Sequence, residues 1–260
     1  MIRGLWTPDT VGWLLVAAGL PAAVALWFDQ GVDGVLRLVL CLAVVAAWQI
    51  LFRVNLGVAP APASAITALA VAVVAPIEVQ LWQIALAVSF GAVIGELIFG
   101  GWGRNFLSPG VVALAFLSLS MPNAAFVASG ANVAWAVLPG ALVMLLTGIL
   151  PVSVLAAYGA ALGLASMALG LEITLLAASG TLAFAAVFLV ADPVAAAATP
   201  VGRWVQGALA GALTVLLMTG TSVPQAAVFA VLLAGLFAPL VDQGAIAAHL
   251  ARRRARNGRA

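Results

Sequence analysis

Long apolar runs separated by short polar turns are the feature that most limits what this chain can fold into. Runs of about 20 apolar residues recur from end to end, and a helix of that length crosses the hydrocarbon core of a bilayer. Only 7% of the 260 residues are charged and 65% are hydrophobic, whereas about a quarter of the residues in soluble domains are charged. The sequence therefore predicts one membrane domain, 1–260, of the all-α integral membrane class.

The apolar runs, read between glycines, prolines and charges, predict about ten transmembrane helices. The predicted spans are 12–28, 34–52, 61–76, 80–99, 109–121, 133–150, 152–170, 175–191, 204–219 and 224–241. An even number of spans and a basic tail at 243–260 predict that both termini are cytoplasmic. Arg53, Arg104 and Arg203 then lie in cytoplasmic turns, and only Arg37 departs from the positive-inside pattern.

The ends of the chain and its cysteine content exclude several other classes of function. All ten basic residues are arginine and five of them crowd the tail, where we expect them to contact anionic lipid and not nucleic acid. The run 12–28 lacks the features of a cleavable signal peptide, so we expect it to remain as the first span. The lone Cys41 can form neither an internal disulfide nor a metal cluster within this chain. Any iron–sulfur centre must therefore be shared with or carried by another chain.

Two stretches of the chain resemble each other. The stretch from Ser64 to Pro76 and the stretch from Thr181 to Pro193 have the same length, and each is followed by a tryptophan and a helix with a small-xxx-small step. In the ten-helix topology they run in opposite directions, which is the pattern of a five-plus-five inverted repeat with halves 1–125 and 126–242. Sequence rich in alanine and glycine also repeats by chance, which is the alternative interpretation.

Three acidic residues lie within or at the ends of apolar runs, namely Glu96, Asp192 and Asp242. An ionisable side chain at such a place is costly, and it indicates an ion pathway or a cofactor partner. All three fall towards the predicted cytoplasmic side, together with Arg104 and Arg203. The alternative is that the acids pair with these arginines and only stabilise helix ends.

A glycine-rich turn at 100–109, with the sequence GGWGRNFLSP, is the densest signal for a binding site. Its glycines permit backbone conformations closed to other residues, and a proline starts the next helix. A loop that opens onto a helix N-terminus can hold a polar heterocycle or an anion, although such turns are also common between membrane helices. The candidate cofactor-binding residues here and in the later segment 191–204 are Gly101, Gly103, Arg104, Asn105, Ser108, Asp192, Thr199 and Arg203.

At these loops the sequence resembles the family that contains the B subunit of the sodium-pumping NADH:quinone reductase and the D subunit of the Rnf complex. The matching strings are SAITALAVAV (64–73), LWQIALAVSFGAVIGELIFGGWGRNFLSP (81–109), FLVADPVAAAATPVGRWVQGALAGALTVLL (188–217) and AVFAVLLAGLFAPLVD (227–242). They cover roughly half of the chain in the family's order. The glycine turn, the Asp-Pro-Val after a helix and the Ala-Pro-Leu-x-Asp ending are uncommon features that occur here together.

The resemblance implies a ten-helix subunit of an electron-transfer complex in the bacterial inner membrane, with redox partners that carry flavins or iron–sulfur centres. It implies one flavin in the membrane and a second near the outer surface. By this analogy Asn105, in the loop shaped by Gly101 and Gly103, would line a non-covalent riboflavin or FMN site. Asp192 and Asp242 would balance charge on the reduced flavin or offer a partner to Na⁺ or H⁺.

The chain also departs from the family's pattern. The family esterifies FMN to the threonine of a Ser-Gly-Ala-Thr motif, whereas this chain has Asn132 in place of the threonine. Asparagine has no hydroxyl to esterify, so we expect a non-covalent flavin; Ser129 is the alternative attachment point. The family's asparagine-proline after the glycine turn is here Ser108-Pro109, and Glu96-Leu97 stands where relatives have Lys-Glu, which puts sodium specificity in doubt.

Three functional hypotheses follow. The first is a flavin-binding electron-transfer subunit of an Rnf- or Nqr-like complex, which depends on partners for its electrons and couples their flow to Na⁺ or H⁺ movement. The second is a cofactor-free scaffold or assembly subunit of a membrane complex. The third is a transporter that uses the interface between the two halves, with Glu96 and Asp192 as its coupling acids.

Overall fold

A computed structural model describes residues 7–127, 130–171 and 180–257, with side chains described up to residue 251. Every regular element in these ranges is a helix, which confirms the predicted all-α class. The helices are α1 Pro8–Leu56, α2 Ala65–Val74, α3 Leu81–Gly95, α4 Pro109–Ser120, α5 Ala131–Leu146, α6 Val152–Ala168, α7 Gly180–Phe184, α8 Pro200–Met218 and α9 Val223–Asn257. Two short 3₁₀ turns, Pro62–Ser64 and Leu97–Phe99, and a π-helix, Ala185–Val190, extend α2, α3 and α7.

Among the described residues, four helices are long and apolar enough to cross a membrane by themselves, and the chain is an integral membrane protein. They are α1, α3 with its extension to Phe99, α8, and α9 as far as Ala251. Each predicted span overlaps a helical segment, although the first half of the predicted span 175–191 lies outside the described residues. The number of ten crossings stays a prediction.

The first two predicted spans, 12–28 and 34–52, both lie in α1, which consists of two helical segments that meet at a kink. Its backbone breaks at Gly31, which has φ 62° and ψ −141°, a conformation that glycine adopts without the steric cost of a Cβ. The helix begins at Pro8, behind the N-cap Thr7, and ends at Gly57 in the left-handed conformation. The direction of the chain therefore changes at one residue.

The centre of the fold is made of the short helices, with the long ones around them. In α2 every residue from Thr67 to Val74 is buried, and a helix that is apolar and buried on all sides belongs to the interior. A ten-residue helix is about 15 Å long, half the thickness of the hydrocarbon core. The segment that follows the π-helix is buried or half-buried from Ala191 to Ala197, and irregular backbone is tolerated there because protein surrounds it. The turn after α2 starts buried at Ala75 and Pro76 and then exposes Ile77 and Glu78.

Small residues bring the surrounding helices into backbone contact. A Cβ at Gly91 of α3 would lie 2.5 Å from the carbonyl oxygen of Pro109 in α4, and a Cβ at Gly207 of α8 would lie 2.2 Å from that of Val154 in α6. Close approach at small residues is the usual basis of helix association in lipid. The α3–α4 pair recurs as α8–α9, and α1 packs on α5. These pairings are those expected of two similar halves, and the division at residue 125 stays a prediction.

Candidate functional site

A small cavity lies between α2, the end of α3, the start of α4 and the end of the π-helix. Its volume is about 20 Å³, which is room for one water molecule. Residues from both predicted halves of the chain line it, and the polar ones are Thr67, Glu96, Ser108 and Asp192. Two candidate acids that are 96 residues apart in sequence thus face one enclosed space.

Glu96 comes to this cavity because α3 ends there. Gly95 is the last residue of α3, and Glu96 has the non-helical angles φ −135° and ψ −59°. Its side chain is buried, and the hydroxyl of Ser64, at the start of α2, donates a hydrogen bond of 2.6 Å to its Oε1. A buried carboxylate requires such a donor. Ser64 is a site residue that the sequence had indicated only as part of the repeat.

Asp192 follows the π-helix on the other side of the cavity. Its Oδ1 accepts hydrogen bonds from the backbone N–H of Val194 at 2.9 Å and of Ala195 at 3.3 Å. The hydroxyl of Ser108 is a further hydrogen-bond partner of this carboxyl. The local turn therefore holds the carboxylate in place.

The glycine-rich turn supplies one wall of the cavity through Trp102. Gly100, Gly101 and Gly103 all have φ between 92° and 98°, so the turn needs residues without a Cβ. The side chain of Asn105 is used inside the turn: its Oδ1 accepts from the N–H of Gly103 at 3.2 Å and its Nδ2 donates to the carbonyl of Leu107 at 2.8 Å.

Of the predicted residues in this turn, Ser108 lines the cavity, but Gly101, Gly103, Arg104 and Asn105 do not. Arg104 is exposed and folds back over the turn. This cavity is far smaller than a ligand site of the size that a flavin ring needs, which has a volume of about 300 Å³ or more.

The remaining candidates, Thr199, Arg203 and Asp242, form a separate cluster at the start of α8. Asp242 Oδ2 accepts from the N–H of Ala198 at 2.7 Å, and its Oδ1 accepts from the N–H of Thr199 at 3.0 Å and from the Thr199 hydroxyl at 2.5 Å. Thr199 is the N-cap of α8, and its Oγ1 accepts from the N–H of Gly202. Asp242 thus supplies negative charge to a helix N-terminus from α9. This is the helix-end role that the sequence left as an alternative.

A second, larger cavity of about 440 Å³ lies at the other end of α2. Its polar lining is Asp29, Gln30 and Glu78, and its other walls come from the turn after α2 and the start of α5. Beside it, Asn132 Nδ2 donates a hydrogen bond of 2.7 Å to Asp29 Oδ1. The alternative attachment point, Ser129, lies outside the described residues. This cavity has the volume of a site for a heterocycle.

Chemically, the small cavity can bind a proton or a hard monovalent cation, because its polar atoms are carboxylate and hydroxyl oxygens. Within the described part of the chain, no group of three or more His, Cys, Asp or Glu side chains is placed to hold a metal ion.

A family model and individual relatives point to the same protein family. A family model described as the NQR2, RnfD, RnfE family matches residues 4–130 and 124–250. The chain is similar to the B subunit of the Na(+)-translocating NADH-quinone reductase of Pseudomonas aeruginosa strain LESB58, with 32% identity over 74% of this chain and 62% of that protein. It is also similar to the B subunit of the same reductase from Azotobacter vinelandii, with 28% identity over 95% of this chain and 76% of the relative. The chain thus spans about three fifths of the length of the first of these relatives.

Proposed function

Because this chain belongs to the NQR2, RnfD, RnfE family, we propose that it is the membrane-embedded subunit of a bacterial inner-membrane redox complex. In this proposal it passes electrons between partner subunits through a non-covalent flavin, with both termini cytoplasmic, and exchanges a proton or Na⁺ at Glu96 and Asp192. The observation that carries the proposal is the meeting of these two carboxylates in one enclosed cavity lined by both halves of the chain.

The chain's own residues account for the exchange step. Ser64 and the turn after Asp192 hold the two carboxylates facing the same cavity, and two like charges so close together favour binding of a cation or a shared proton. Because helices line the cavity on both sides, we infer that release of the bound ion requires these helices to move. A change of charge on the flavin, which we propose to bind at the other end of α2, would bias that movement.

The flavin is proposed to bind in the 440 Å³ cavity and not at the glycine turn. A bound flavin would supply one- and two-electron transfer there. Asp29, Gln30 and Glu78 offer polar contacts at its edge, and Val73, Pro76 and other apolar residues offer a surface for the ring. The Asn132 amide donates to Asp29, and an amide cannot form a phosphoester, which supports a non-covalent flavin.

The first experiment is an absorption spectrum of the purified full-length chain before and after acid denaturation. We expect a flavin spectrum, with the chromophore released into the supernatant. A chromophore that stays on the precipitated protein would contradict the non-covalent part of the proposal.

The position of the flavin is tested by filling the cavity. Ala125 lines it and is exposed, so Ala125→Trp narrows the cavity without entering the core. We expect Ala125→Trp to lower the bound flavin at least tenfold, whereas Asn123→Trp, at an exposed neighbour outside the lining, leaves it unchanged. Loss of flavin in Asn105→Ala alone would place it at the glycine turn instead.

A second candidate function has one observation in its favour. The cavity beside the glycine turn has the volume of a single water, which suits a cofactor-free transporter that uses Glu96 and Asp192. Colourless protein that still binds Na⁺ at these acids would support this function over electron transfer. Colourless protein without cation binding would support a scaffold subunit.

A further inference from the structure

In the segment between the π-helix and α8, six consecutive backbone N–H groups, from Val194 to Thr199, donate hydrogen bonds. The N–H groups of Val194 and Ala195 donate to the Asp192 side chain, and the N–H of Ala196 donates to the Asp192 carbonyl at 2.9 Å. The following N–H groups donate to side chains of α8 and α9. The path of this segment therefore decides where the carboxylate of Asp192 points.

Gln206 is the side chain that holds the middle of this segment. It is buried, with 4% of its surface exposed, in the second turn of α8. Its Oε1 accepts from the N–H of Ala197 at 2.6 Å, and its Nε2 donates to the carbonyl oxygen of Ala195 at 3.3 Å. The N–H of Ala195 is in turn a donor to Asp192 Oδ1. Ala195 thus links the two side chains: its carbonyl oxygen accepts from Gln206, and its N–H donates to Asp192.

A carboxamide suits this place for a physical reason. The segment presents one N–H and one C=O to α8, and a carboxamide has one acceptor and one donor group that can satisfy both. A glutamate would leave the C=O without a donor, and an arginine or lysine would leave the N–H without an acceptor. The carboxamide is also uncharged, so it does not compete with Asp192 for a cation.

We propose that Gln206 is a positioning residue for the cation or proton exchange at Asp192, a role that rests on the function proposed above. It touches neither the cavity nor the exchanged ion. It holds the Ala195–Ala197 backbone so that the Asp192 carboxylate faces Glu96 across the cavity. Removing it leaves a buried N–H and a buried C=O unsatisfied, so the segment relaxes and the carboxylate moves.

The test uses carbodiimide modification of the purified full-length chain, with each modified carboxyl located by mass spectrometry. The rates at Asp192 and Glu96 are measured without Na⁺ and then across a Na⁺ series. Gln206→Met keeps the length of the side chain and removes both hydrogen bonds. Gln225→Met is the matched control, because Gln225 bonds to Ser118 in the α4–α9 contact and not to this segment.

We expect Gln206→Met to raise the Na⁺-free modification rate of Asp192 at least threefold and to leave that of Glu96 within twofold. The Na⁺ concentration for half-protection of Asp192 should rise at least fivefold, and Gln225→Met should match the wild type in both. A merely structural loss would expose Glu96 as much as Asp192 and would overturn the proposal, as would an unchanged Asp192 rate in folded protein.

If Gln206→Met does not fold, Gln206→Asn is judged by the same criteria, since it stays uncharged and its shorter side chain cannot keep both hydrogen bonds to Ala195 and Ala197. The failure of the two proposals is distinguishable. If Na⁺ and pH do not affect modification of Asp192 in the wild type, the exchange function is wrong, while the Na⁺-free rates at Asp192 and Glu96 still decide the role of Gln206.

Discussion

Substituting Gly140 with alanine tests the packing of the first helix against the second half of the chain. A Cβ at Gly140 in α5 would lie 2.1 Å from the carbonyl oxygen and 3.0 Å from the carbonyl carbon of Ala18 in α1. Both atoms belong to rigid backbone, so the two helices must separate by about 1 Å to admit the methyl group. Overpacking of this kind lowers the free energy of unfolding by about 1–3 kcal/mol. Because Gly140→Ala also loses the close α1–α5 contact, we expect its cost to lie at the upper end of this range.

Gly159 in α6 is the matched control, because a Cβ there would meet nothing within 4 Å. Alanine in a helix interior is favoured over glycine by about 0.5–1 kcal/mol, so Gly159→Ala should be neutral or stabilising. One kcal/mol shifts Tm by about 2–4 °C for a chain of this size. We expect Gly140→Ala to lower Tm by about 4–10 °C and Gly159→Ala to raise it by about 1–4 °C.

The assay is thermal unfolding of purified protein in detergent, followed by size-exclusion chromatography of the remaining folded fraction. The two substitutions are chemically identical, so the detergent and the helix propensity affect both in the same direction. Equal Tm values for the two variants would refute the close contact between α1 and α5.

Two further predictions concern polar contacts between side chains and backbone. The guanidinium of Arg37 is buried and donates to three backbone carbonyls of the turn after α2, so Arg37→Met should cost about 2–4 kcal/mol of unfolding free energy in the same melting assay. Arg53→Met, at an exposed position, should leave Tm unchanged, and equal losses would contradict the prediction. Asp242→Asn removes the negative charge that accepts from the N–H groups of Ala198 and Thr199, and their hydrogen–deuterium exchange should become at least tenfold faster; unchanged exchange would show that the charge is dispensable.

Much of the fold could be read from the sequence, because apolar run length and helix formation in lipid follow from local composition. The runs that predicted spans all overlap helical segments. The two spans predicted on either side of residue 31 are two helical segments of α1 that meet at Gly31. The sequence did not predict that the second segment resumes after a single non-helical residue.

The candidate site was predicted in part. Glu96, Ser108 and Asp192 meet at one cavity, whereas Thr199, Arg203 and Asp242 belong to a separate contact at the start of α8. The sequence offered no signal for Gln206, because a lone glutamine in a helix is ordinary until its backbone partners are known. Trp102 was likewise visible only as part of the glycine turn.

The sequence by itself determined that this chain lies in a membrane as a set of helices, because so few charges and such long apolar runs are stable only where lipid replaces water. The tertiary structure alone decided which carboxylates face each other and which merely end a helix. Glu96 and Asp242 have the same kind of neighbourhood in sequence, an acid at the end of an apolar run. Packing against the start of α2 places Glu96 at a cavity. Packing against the start of α8 places Asp242 at a helix N-terminus.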